Sequence, residues 1–255
     1  MMIPNNDLTR DDLRCGGFTL LQPKKGYRFA IDAPILAALV SLRPALRVLD
    51  MGCGGGVLPL LLLGREPSLA VCGIELRHRP FDLAVRNMSE NGVDAELILG
   101  DAMEAAKLLE GRRFDLIVSN PPYYPADGCR LPLDGDIAAA KVEVCWDLDI
   151  MMEQVFALLA DDGRFAVIYD GARKEEIRAA AKRRGFYLRR FFEFFPQEGA
   201  KKSRVYLEWS KEKGECPDTD TLVMYDNDGE MTPKMKRILK VYDGTGTVPC
   251  GDAHR

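Results

Sequence analysis

The chain has 255 residues, of which 47% are hydrophobic and 29% charged, with a formal net charge of −4. That apolar content excludes a disordered chain, and the length suits one large α/β domain with decorations or two small domains. The acidic balance excludes a uniformly basic nucleic-acid coater, so a polyanionic partner would have to meet a local patch.

Apolar runs such as Val57 to Leu63, which contains a proline, fall far short of the roughly 20 residues that span a bilayer. No basic segment followed by an apolar one opens the chain, so a cytoplasmic protein without a membrane partner is expected. Cysteines stand at 15, 53, 72, 129, 145, 216 and 250, with no C-x-x-C pair, and the only histidines are His78 and His254. A zinc site or a histidine-based catalytic triad is hard to assemble from that set, so packed thiols and metal-free chemistry are expected.

In chain order, a polar start leads through Gly16-Gly17 to a short strand, Phe18 to Leu21. Ile31 to Leu42 reads as an apolar helix ending near Pro44. Alternation follows: strand Arg47–Met51, helix Val57–Leu63, strand Ala70–Glu75, helix Arg79–Asn91, strand Ala95–Leu99, helix Ala102–Glu110 and strand Asp115–Ser119. A proline-rich loop runs to about Asp136. Helix Leu148–Leu159, strand Arg164–Tyr169, helix Arg173–Arg184, the strand pair Tyr187–Phe194 and Ser203–Trp209, and helix Pro233–Lys240 complete the reading. Strands alternating with helices predict an α/β fold with a doubly wound, seven-stranded, mostly parallel sheet, whose ligands sit beyond the carboxyl ends of the strands. Residues 1–45 read as a short N-terminal extension packing on the site, 46–243 as the main domain and 244–255 as a flexible tail.

Four strand ends carry chemistry. Asp50-Met51-Gly52-Cys53-Gly54-Gly55-Gly56 follows the first domain strand, where glycines let the backbone turn sharply and approach a ligand. The sequence lacks Gly-Lys-Ser/Thr, which excludes a phosphate-cradling P-loop, and Asp50 would repel a pyrophosphate. Glu75, followed by Leu76, ends the second strand, where a carboxylate can take both hydroxyls of a ribose. Asp101, followed by Ala102, ends the third; it suits an adenine amino group and a helix N-cap equally well. Asn120-Pro121-Pro122-Tyr123 follows the fourth. The Asn120 side-chain carbonyl and the Pro121 carbonyl are two acceptors in a frame stiffened by fixed proline φ angles. Accepting both hydrogens of a planar amine from one side favours a pyramidal nitrogen with its lone pair free, and Tyr123 can stack on the flat group that carries it.

With these motifs the sequence resembles class I S-adenosylmethionine-dependent methyltransferases that carry Asn-Pro-Pro-Tyr and act on amines. It is most similar to the bacterial tRNA(Val) adenine-N6 methyltransferase family. Gly16 to Gln22, Gly26 to Ala33, Ser203-Arg204-Val205 and Tyr225 to Pro233 resemble that family's leading and closing segments. The resemblance implies a Rossmann-like methyltransferase fold, S-adenosyl-L-methionine as cofactor and an RNA partner, most simply tRNA. It assigns Asp50, Gly52 and Gly54 to the methionine end of the cofactor, Glu75 to its ribose and Asp101 to its adenine, with Cys53, Leu76, Ala102 and Asn120 beside them. Phe29 and Asp32 would close the site, and Asn120, Pro121, Pro122 and Tyr123 would receive the target amine. Lys141-Val142-Glu143 departs from the family's Arg-His-Glu element and bears on substrate choice. Methylation of a protein glutamine, DNA adenine methylation and a relative without catalysis are the alternatives. A separate feature fits a polyanion: from Ala172 to Lys213 there are 13 Lys and Arg against 6 Asp and Glu. Lys182, Arg183, Arg184, Arg189, Arg190, Lys201 and Lys202 are the candidate phosphate contacts, interleaved with aromatics.

Overall fold

Successive side chains of a strand point to opposite faces, so a sheet covered on both sides needs two cores. In the computed structural model, which describes residues 5–25, 28–121, 146–214 and 217–242, Val48, Leu116, Val118, Ala166 and Ile168 belong to one buried cluster. Their chain neighbours Leu49, Ile117, Phe165 and Val167 belong to the other. The strands that carry them are β3 (Arg47–Met51), β4 (Ala70–Glu75), β5 (Glu96–Leu99), β6 (Phe114–Ser119), β7 (Leu159–Asp170), β8 (Tyr187–Phe195), β9 (Arg204–Ser210) and β10 (Asp218–Val223). Helices α1 (Asp32–Leu39), α2 (Val57–Arg65) and α7 (Pro233–Leu239), with Met88 of α3 (His78–Glu90), cover the first face. The single turn α4 (Ala105–Leu108), α5 (Leu148–Leu158) and α6 (Lys174–Arg184) cover the second.

The sheet order is β10-β8-β9-β7-β6-β3-β4-β5. Only β9 runs against its neighbours; the other pairings are parallel. The sheet is therefore doubly wound and mostly parallel, with eight strands where seven were expected. The additional strand is β10, parallel to β8 from Asp218↔Arg190 to Val223↔Phe195. Its Asp-Thr-Asp-Thr start reads as loop, but an edge strand with a solvated flank needs no apolar run. The expected helix Ala102–Glu110 is instead a 3₁₀ turn, Ala102–Glu104, followed by the short α4.

The predicted strand Phe18–Leu21 is part of β2 (Thr19–Pro23), which forms an antiparallel hairpin with β1 (Leu8–Asp12). Asn87 of α3 fixes this hairpin: its Oδ1 accepts from Leu21 N at 2.8 Å and its Nδ2 donates to Leu21 O at 3.1 Å. Asn91 repeats the pattern on Thr19 at 2.8 and 2.7 Å. β2 thus climbs α3 from its C-terminal end toward its start, which follows directly on β4. Crossovers leave β3 toward β4 and β5, and the chain returns on the other flank at β6, so the carboxyl ends of β3 and β6 form the switch point where such sheets bind ligands. No helix among the described residues is long and apolar enough to cross a membrane.

Candidate functional site

Asp50 sits at the switch point, on β3 between Gly73 of β4 and Val118 of β6. It is fully buried, and neither carboxylate oxygen has a hydrogen-bond partner among the described residues. Burial, reinforced by the nearby Glu75 charge, holds its carboxyl well above the usual carboxylate range. A buried acid with two unused acceptors matches a cationic group placed against it. After it the chain turns through Gly52, Gly54 and Gly56, all at positive φ (84°, 55° and 85°). Gly52 is also a packing requirement: a Cβ there would lie 2.9 Å from Cζ2 of Trp146. The amides of Gly52 and Cys53 both donate to Ile74 O at 2.9 Å, which pins the loop to β4. Cys53 tucks its thiol under the loop, against the Cα of Gly73, where burial and the charges of Asp50 and Glu75 push its pKa well up. Its side chain is buried there at 4% exposure.

Glu75 ends β4 and is 5% exposed. Its Oε2 accepts from Gly54 N at 2.9 Å, while Oε1 accepts from Arg77 N at 2.9 Å and Arg77 Nε at 3.1 Å. A carboxylate offers about four acceptor positions, so a bidentate grip on a ribose must displace part of the Arg77 contact. Asp101 caps the 3₁₀ turn by accepting from Met103 N at 2.8 Å through Oδ1. Ala102 is buried behind it, and Leu76 is 37% exposed at the same rim.

Ser119, the last residue of β6, is fully buried and donates its hydroxyl to Met51 O at 2.8 Å. That bond ties the end of β6 to the end of β3 and sets where Asn120 and Pro121 leave the sheet, beside Asp50. Neither this tie nor Trp146 is visible in the sequence motifs. Pro122, Tyr123 and the Lys141-Val142-Glu143 element lie outside the described residues, as do Gly26, Tyr27 and the 244–255 tail.

On the other flank, Asp32 opens α1 with its carboxylate 3.2 Å from Nε of Arg204, at the start of β9. Two segments singled out separately in the sequence are thereby joined. Phe29 is 6% exposed and packs in the first core, its amide donating to Gln22 Oε1 at 2.9 Å. The long basic stretch is divided. β8 runs in the direction of β3, so Lys182, Arg183, Arg184, Arg189 and Arg190 stand toward the end of the sheet opposite the site, while Lys201 and Lys202 stand at the site's end. Arg183 is bound by Asp149 at 2.6 Å and Arg184 lies over the Phe156 ring. Arg190 lies over Phe192 and Tyr206 and donates to Leu39 O at 2.6 Å.

Residues 31–133 match the family model of the methyltransferase small domain. The tRNA1(Val) (adenine(37)-N6)-methyltransferase of Yersinia enterocolitica is 28% identical over 236 residues, covering 89% of this chain and 92% of the relative. The enzyme of the same name from Yersinia pseudotuberculosis is likewise 28% identical over 236 residues, with the same shares of both chains. Among solved structures, the predicted O-methyltransferase of Agrobacterium tumefaciens superposes with a TM-score of 0.62 at 19% identity, covering 83% of this chain and 96% of that one. The 16S rRNA N2 G1207 methyltransferase of Thermus thermophilus, solved with AdoMet and guanosine, superposes with a TM-score of 0.56 at 22% identity, covering 80% and 51%. The fold is that of the Rossmann-like methyltransferases.

Proposed function

We infer that this S-adenosylmethionine-dependent methyltransferase methylates the N6 amine of an adenine in tRNA. The observation that carries the reading is the adjacency of two strand ends. The buried Asp50 carboxylate, unpartnered among the described residues, lies near the end of β3, and Asn120-Pro121 follows the neighbouring β6, whose Ser119 hydroxyl holds Met51 O. Bound here, S-adenosylmethionine supplies a methyl group activated on a sulfonium. Asp50 suits its positively charged methionine end, since a cation would satisfy both orphaned oxygens. Gly52 and Gly54 keep the loop close to that end, Glu75 takes the ribose and Oδ2 of Asp101 takes the adenine amine. Phe29 and Asp32 brace the N-terminal side.

Asn120 and the Pro121 carbonyl accept the two hydrogens of the target amine, favour its pyramidal form and hold its lone pair toward the methyl group. Tyr123 stacks on the base, which leaves its helix to reach the site. The choice of adenine in tRNA rests on relatives of that name spanning nine-tenths of the chain. Amide nitrogen of glutamine would suit the same acceptors, and product identification separates the two.

Asn120→Ala is expected to lower methyl transfer by about 10²–10³-fold, as removal of a positioned polar group does elsewhere. Cofactor affinity measured by calorimetry should change by no more than about twofold, because Asn120 acts on the acceptor. Loss of cofactor binding in this variant would place Asn120 with the cofactor and remove the acceptor role.

A further inference from the structure

The fold redistributes the positive charge that the sequence presents as one block. Three elements converge on the rim formed by the carboxyl ends of the parallel strands. Helix α3 begins there, immediately after β4, with His78 and Arg79 exposed in its first turn. β2 climbs α3 to the same rim, and Lys24 and Lys25 leave its end, both exposed. Across the sheet, the β8–β9 connection carries the exposed Lys201 and Lys202 next to Arg204, opposite Asp170 at the carboxyl end of β7. Asp32, at the start of α1, stands on this second flank, where it meets Arg204. Lys24, Lys25, Arg79, Lys201 and Lys202 make no ion pair among the described residues. Acids share this flank: Glu198 lies in the same connection as Lys201, and the exposed Asp226, Asp228 and Glu230 follow β10, which ends beside β8.

The opposite end differs in kind. Arg183 spends its guanidinium on Asp149 through three hydrogen bonds. Arg184 lies over Phe156, and Arg190 is held by Leu39 O, Glu208 and two rings. Only Lys182 of that cluster's helix end lacks such a contact among the described residues. Arg183 and Arg184 are themselves exposed, but the Asp149 carboxylate offsets one of the cluster's three cations and lowers the field it presents to a phosphate.

We propose that the RNA backbone is held by a bipartite basic rim, Lys24, Lys25 and Arg79 on one flank and Lys201 and Lys202 on the other, and that the Lys182-Arg183-Arg184 cluster takes no part. This rests on the RNA reading above and names the surface that serves it. β4 and β9 are four strand spacings apart, on the order of 20 Å. That separation corresponds to about six phosphates of a stacked strand, so the two flanks touch different parts of one folded RNA, with the site between them.

The test is the salt dependence of binding to a tRNA transcript, in the presence of S-adenosylhomocysteine, for three variants of the full chain. These are Lys24→Gln/Lys25→Gln/Arg79→Gln, Lys201→Gln/Lys202→Gln and Lys182→Gln/Arg183→Gln/Arg184→Gln. All replace exposed residues, and thermal midpoints check that each is folded. Each rim variant is expected to weaken binding at least tenfold and to flatten the slope of log K against log salt by about 0.7–0.9 per lost phosphate contact. Cofactor affinity should be unchanged, and the third variant should match wild type. Wild-type slopes in both rim variants, or a flattened slope in the third, would overturn the proposal. Wild type that binds tRNA with a steep salt dependence yet methylates no adenine would defeat the functional reading while leaving the rim to be judged by the same slopes.

Discussion

At the scale of single residues, Asp50 carries the most consequential chemistry. Its carboxyl is held well above the usual range by burial and by Glu75. The group's contribution to folding is fully present below its ordinary value of about 3.9 and is lost as pH rises through the raised folded value. Asp50→Asn, which cannot ionise, is therefore expected to raise the thermal midpoint of the cofactor-free protein near neutral pH. The gain should shrink as the pH falls toward the carboxylate range. Cofactor binding should respond in the opposite sense. A cation beside Asp50 favours the ionised form, so wild-type affinity should increase with pH across the Asp50 titration, and the asparagine variant should be weaker and flat. Calorimetric titrations over a pH series check both; a wild-type affinity independent of pH would separate Asp50 from the cofactor's charge. Gly52 offers a second check. At φ 84°, with Trp146 where a Cβ would go, Gly52→Ala meets both backbone strain and a clash. Its thermal midpoint and cofactor affinity should fall together, and a variant equal to wild type in both would show that the loop is not held as described.

At the scale of elements, the N-terminal hairpin is joined to the glycine loop by one side chain. Asn87 bonds both backbone groups of Leu21 and donates to Gly55 O at 2.8 Å. Asn87→Ala strands buried polar groups on β2 and on the loop, at a cost of about 2–4 kcal/mol. A domain of this size loses about 2–4 °C of thermal midpoint per kcal/mol, and hydrogen exchange at Leu21 should accelerate before the sheet opens. An unchanged midpoint would contradict this role. Such ties mark the limit of what the chain's pattern reveals. β3, β4, β6 and their helices were legible because apolar runs alternate with glycine or capping residues, and the site loops because glycine and acid follow each strand. β1 and β10 were not, since Leu-Thr-Arg-Asp-Asp and Asp-Thr-Asp-Thr carry edge strands whose partners supply the apolar side. Asn87 on Leu21, Ser119 on Met51, Trp146 on Gly52 and Arg204 on Asp32 join residues far apart in the chain, and no local period encodes them. The basic block divides for the same reason: helix α6 and strand β8 carry contiguous charges to opposite ends of the sheet.

At the scale of the whole molecule, an acidic protein presents exposed cations around one rim. The doubly wound topology places that rim over the switch point, at the adjacent carboxyl ends of β3 and β6. The parallel strands bring the loops to one end, the hairpin and the β8–β9 connection bring charge to its flanks, and the distal Arg183, Arg184 and Arg190 contact Asp149, Phe156 and Leu39 O. The activity proposed for this assembly is methylation of adenine N6 in tRNA. The most direct measurement is methyl transfer from labelled S-adenosylmethionine to unmodified bacterial tRNA, followed by digestion and nucleoside identification. The expected result is label in N6-methyladenosine, absent with Asn120→Ala. Protein that binds the cofactor yet leaves tRNA unlabelled, or labels a nucleoside other than adenosine, would contradict the account.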